Sequence, residues 1–221
     1  MNVMALLLAD SRFPGGGHAH SGGLEEAAAR GLVRTEDDLP AFLRHRLRTA
    51  GTLAAVFAAA SAHLAGQGFT EWSTVDDELD ARTPSAAQRA ASRAQGKATA
   101  RAAGQMATCP AQVLLGIGRR PHHAVILGIL AGAPADAALA AAYLAISGPA
   151  SAAVRLLGLD PLRVNAIVAA LGDEVTAVAA AATATAHLDP ADLPAPSSPG
   201  LDLLAEEHDR HHREEVRLFV S

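Results

Sequence analysis

The sequence predicts an all-α fold: one helical domain over residues 1–188, of roughly seven to nine helices, then a Pro-rich linker over 189–200 and a C-terminal tail over 201–221. Three observations predict it. Half of the 221 residues are apolar but only 3% are aromatic. Alanine supplies most of that half, and it is the best helix former and a poor core filler, so the helices are expected to approach closely. Over 42–64, Phe42, Leu43, Leu47, Leu53, Val56, Phe57 and Leu64 recur at helical spacing. Helix-start signals also punctuate the chain at Thr35, Ser85 and Asp160-Pro161. The length suits one sizeable core or two small domains.

Taken in order, an apolar run at Leu6, Leu7 and Leu8 leads into a turn-rich hinge, DSRFPGGGHAHSGGLE. Asp10 and Ser11 can close a short helix through local backbone bonds. Pro14 disfavours helix at Phe13, and Gly15, Gly16 and Gly17 permit positive φ or close approach. Ser21 is the expected N-cap of a helix whose first turn carries Glu25 and Glu26, with Gly31 ending it. Thr35 to Asp38 reads as a capping-box-like start of the long helix. Arg44, Arg46 and Arg48 sit off its apolar stripe and read as a solvated face. The acids Asp76, Asp77, Glu78 and Asp80 read the same way, since charge runs usually face water. Ser85 and Gln88 form a second capping box. The helix after it presents Arg89, Arg93, Lys97 and Arg101 every four residues. That stripe reads as solvated, or as a docking face for an acidic partner or a second copy. Cys109-Pro110 opens a linker or short helix. His122 and His123 precede an apolar helix over 124–130 and read as first-turn polar residues, because metal sites need three or four convergent ligands. The next helix starts at Ala133-Pro134 and is expected to break near Gly148-Pro149. A helix from Asp160-Pro161 is expected to reach about His187. DPADLPAPSSPG then reads as an extended, mobile linker.

Several of these stretches, in this order, resemble the urease accessory protein UreF family. Asp10, Ser11, Pro14, Gly15, Gly17, His20, Ser21, Gly23, Leu24 and Glu25 match its N-terminal signature, while His18 stands where the family usually has an aromatic. Ser92, Arg93 and Gly96 fit a Ser-Arg-x-x-Gly-like pattern. Tyr143-Leu144 followed by Val154, Arg155 and Leu156 resembles a Tyr-Leu pair ahead of a Val-basic-Leu segment, with Arg155 in the basic position. In the tail, Arg210, His211, Arg217, Leu218, Phe219 and Ser221 match, and Glu214, Glu215 and Val216 depart. The resemblance implies a homodimer that bridges a UreD-type (also called UreH) subunit and the nickel-carrying GTPase UreG. It implies a role in regulating GTP-dependent nickel delivery to apo-urease, with no chemistry and no tightly bound cofactor of its own. It points to Arg210, His211, Arg217, Leu218, Phe219, Glu25, His20 and Arg155 as partner-binding positions. The tail has the make-up of a segment that orders on a partner; folding back onto its own domain is the alternative.

The residues themselves show no enzyme signature: no G-x-S-x-G elbow, H-E-x-x-H helix, Cys-x-x-Cys or P-loop. The glycine-rich hinge lacks both phosphate-loop patterns. His208, His211 and His212 are the metal candidate, since imidazole suits nickel, but a charge-rich solvated helix is the simpler reading. Two alternatives therefore stand beside the UreF-like scaffold: a nickel-binding metallochaperone using those histidines, and an unrelated helical regulator. A net charge of −5 argues against nucleic acid as the main partner. The single cysteine excludes an internal disulfide and fits a reducing compartment. The start lacks secretory features, and the alanine-rich run over 177–186 is too short to span a bilayer. A soluble cytoplasmic protein is the expectation.

Overall fold

A computed structural model describes residues 2–17, 20–106, 118 and 120–218, with side chains through His212. His18, Cys109, Pro110, Phe219 and Ser221 lie outside the described residues. The fold is all-helical, with ten α-helices among the described residues. They are α1 (Val3–Ala9), α2 (Leu24–Ala29), α3 (Leu39–Gly66), α4 (Trp72–Ala81), α5 (Ala86–Ala103), α6 (His123–Ala131), α7 (Pro134–Leu157), α8 (Pro161–Ala170), α9 (Gly172–Ala184) and α10 (Pro199–Leu218).

At the centre α3 packs against α7, with α6 and α9 on its flanks. The reason lies in composition. The run Ala55, Val56, Phe57, Ala58, Ala59, Ala60, Ser61 and Ala62 is buried on every side, as a helix without a polar face must be. Small side chains then let backbones meet: a Cβ on Gly128 of α6 would stand 2.2 Å from Ala58 O of α3. By length and composition alone α3 and α7 could cross a membrane; here both are core helices packed on each other. α5 lies on α6, and α10 crosses α5 and α2.

Several boundaries differ from the sequence reading. Gly23, with φ 91°, is the N-cap of α2 rather than Ser21, although Ser21 Oγ accepts the Glu25 N–H at 3.3 Å. The turn before α3 is tied by Asp38, whose carboxylate accepts the N–H groups of Arg34 and Thr35 at 3.0 Å each, so the helix starts at Leu39. Within α3 the ladder widens into a π turn over Leu47–Gly51. The expected break at Pro149 does not occur: α7 runs unbroken through it. The single helix expected beyond Asp160 is instead α8 and α9, bent by 45° at Leu171. Finally, the segment 189–200 is not simply extended. It holds a 3₁₀ turn at Pro190–Asp192 and buries Leu193 to 3% exposure, and Arg82 donates to Ala191 O at 2.6 Å.

Candidate functional site

A cavity of about 780 Å³ opens between residues 20–25, α3, the end of α4 and the turn after it, α5, the start of α6, α7 and α10. That lies in the range of small-molecule sites, about 300–1,000 Å³. Leu53, Ala54, Leu127, Ala141 and Leu144 give it apolar walls; Arg46, His20, His123, His208 and Glu25 give it polar ones.

Arg46 is the side chain that the sequence reading misplaced. Its neighbours do form a half-exposed face, where Arg44 and Arg48 both bind Glu174 of α9, at 2.7 and 2.9 Å. Arg46 instead turns inward. Proline has no N–H, so Pro149 leaves the carbonyl four residues back, that of Ala145, without its helical donor. Arg46 Nε supplies it at 2.9 Å, and Nη1 donates to Gly22 O at 2.8 Å. One guanidinium thus keeps α7 continuous and ties the hinge to it. Burial pushes the Arg46 pKa down to about 10. The signal was present at Pro149, but the donor lies 99 residues in the chain from the carbonyl it serves, that of Ala145.

Above the cavity sits a polar knot that the reading as solvated charge runs also missed. His122, fully buried, meets Ser92 Oγ through Nδ1 at 2.9 Å and Asp80 Oδ1 through Nε2 at 2.8 Å. Its backbone N–H donates to Asp76 at 2.8 Å. Arg93 pairs with Asp76 at 2.6 Å and with Asp80 at 2.7 Å. Burial alone would raise the Asp80 pKa; the bonds from Arg93 and His122 outweigh it and hold the carboxylate below its ordinary value. Burial lowers the His122 pKa, opposed in part by Asp80. The basic stripe on α5 is therefore partly consumed inside its own chain, while Lys97 and Arg101 stay exposed. Ser92, His122 and Asp80 have the order of a hydrolytic relay. Against that, Ser92 sits in mid-helix rather than on a strained elbow, and its oxygen already accepts the His123 N–H at 3.2 Å. The knot pins the loop before α6 onto α4 and α5.

α10 is clamped across the hinge. His211 meets Glu26 at 3.2 Å, His208 lies 3.9 Å from Glu25, and Arg30 pairs with both Glu26 and Glu207. On its other side, Glu206 accepts from Ser85 Oγ at 2.6 Å and Asp202 from Gln88 at 2.8 Å. Glu26, Glu207 and His211 bring one ligand atom each to within 4.8 Å of one another, a spacing that suits a cation. Arg30 already neutralises both carboxylates there, so an entering ion would have to displace it.

The structure thus brings His20, Glu25 and His208 to the cavity and His211 beside it. Arg210 is exposed and pairs with Glu207. Arg217 and Leu218 lie at the end of α10, beyond the described side chains, and Phe219 lies outside the described residues. Arg155, in the last turn of α7, is exposed and does not line the cavity.

Fold and site define a helical-bundle protein that holds a cavity between its helices, with many of its charged groups spent on internal ties. Residues 33–172 match the UreF family model. The chain is 44% identical over 220 residues to the urease accessory protein UreF of Mycobacterium sp. (strain JLS), covering 98% of this chain and 97% of that protein. It is equally similar, over 223 residues, to the urease accessory protein UreF of Mycobacterium tuberculosis (strain H37Rv), covering 99% and 98%. The chain belongs to the UreF family.

Proposed function

We propose that the protein serves urease maturation by nickel insertion, as a homodimeric scaffold that bridges a UreD/UreH-type subunit and a UreG-type GTPase and regulates GTP-dependent nickel delivery to apo-urease. It acts in the cytoplasm, catalyses no reaction of its own and holds no cofactor tightly. The observation that supports this reading most is 44% identity, over nearly the whole of both chains, to proteins named urease accessory protein UreF. The exposed Arg210 and His211 on α10 offer a partner both charge and hydrogen-bond donors. A metallochaperone role is the second reading, favoured by the His208 and His212 rings, whose centroids lie 4.4 Å apart at a 45° tilt on one helix face. Co-purification with tagged UreD-type and UreG-type proteins tests the scaffold: a stable complex with both is expected, and recovery with neither would contradict it. Nickel titration of the isolated chain separates the two readings, since only the second needs saturable binding that is lost in His208→Ala/His212→Ala.

A further inference from the structure

Arg46 has donors to spare. Of its five N–H groups, one on Nε and one on Nη1 serve the carbonyls of Ala145 and Gly22. Among the described residues no carboxylate pairs with it, and burial is the sole cause of its lowered pKa. A guanidinium held at about 10 is still charged at neutral pH. A half-buried charge without a counter-charge is costly, and this one borders a cavity whose lining includes the apolar Ala50, Leu53, Ala54, Ala141 and Leu144. The π turn begins at the next residue, Leu47, and such turns often occur at functional sites.

We infer that the cavity is a binding site for a small carboxylate with an apolar body, its head group paired to Arg46 and its body lying between α3 and α7. The planar fork of an arginine matches a carboxylate's two oxygens. His20 and His123 border the same space, and His123 is kept neutral, its pKa lowered to about 4 by burial and by the neighbouring His20. Glu25 and Asp209 also border the cavity, with Glu25 facing His208 at 3.9 Å, and Arg82 is tied to Glu78 and Ala191. Arg46, with donors to spare, is therefore the cation that meets an anionic head group. The site does not depend on the assembly role proposed above.

Hexanoate and 1-hexanol, which share an apolar body but differ in charge, are the probes. Titrated calorimetrically into the full chain, hexanoate should bind saturably with a dissociation constant on the order of 1 mM, as befits so small a ligand, and hexanol at least about tenfold more weakly. Hexanoate, and not hexanol, should slow modification of Arg46 by phenylglyoxal, read by peptide mass spectrometry in the unmutated protein. Ala54→Phe, which puts a bulky side chain into the apolar wall and leaves Arg46 in place, should weaken hexanoate binding at least about tenfold. Equal binding of the two probes, no saturable hexanoate binding, or unprotected Arg46 in the presence of bound hexanoate would each overturn the inference.

Discussion

Gly128 lies where an added Cβ would stand 2.2 Å from the backbone oxygen of Ala58, whereas a Cβ on Gly148 would meet nothing within 4 Å. Gly128→Ala should therefore destabilise by about 1–3 kcal/mol, as overpacking does, and Gly148→Ala should stabilise by about 0.5–1 kcal/mol through helix propensity. Urea denaturation of both variants checks the pair, and equal midpoints would remove the close-approach argument. His123 gives a second prediction. Its pKa is lowered from 6.5 to about 4, first by burial and then by His20. Between those values the unfolded chain binds the proton and the folded chain does not, so stability falls as pH falls from 6.5 to 4. The loss is up to about 3 kcal/mol from this residue, and His123→Gln should flatten the profile in that window. Arg46 shows the limit of sequence at this scale. Arg44, Arg46 and Arg48 look alike in the chain, and only the fold reveals that the middle one has been given an orphaned carbonyl to serve.

At the scale of elements, capping chemistry was legible. Ser85 accepts the Gln88 N–H and Asp160 accepts the Leu162 N–H, as their residue types require. What local chemistry could not reveal was tertiary override. Pro149 is a helix breaker whose broken bond is repaired from α3, and the bend between α8 and α9 has no proline to announce it. α10 was legible as a distinct segment, while its clamp of Glu25, Glu26 and Arg30 depends on side chains more than 170 residues away. Removing residues 210–221 takes away His211 and Arg210 but leaves buried Leu201, Asp202 and Glu206 in place. Helix content by circular dichroism should be retained, and binding to the UreD-type subunit lost. A truncated chain with full affinity would remove the tail from the interface, and one that unfolds would make it a structural element instead.

For the whole molecule, the all-α class followed directly from alanine content and apolar spacing, because both act locally. The cavity did not, since it forms only where several helices and the hinge, far apart in the chain, converge. Alanine-rich helices leave flat faces, and Val3, Leu6, Leu32 and Leu162 are large apolar side chains left 55–79% exposed. A homodimer at micromolar concentration is expected, so light scattering should give twice the 22.5 kDa of one chain; the single-chain mass would contradict it. The proposed role in urease maturation is tested by activation in cells. Cells that carry a urease operon without its UreF-type gene would be given this chain, and the purified urease assayed for bound nickel and for activity. Both should rise well above the level without the chain, whereas urease that remains nickel-free and inactive, with the chain expressed and folded alongside the operon's UreD-type and UreG-type proteins, would rule that role out.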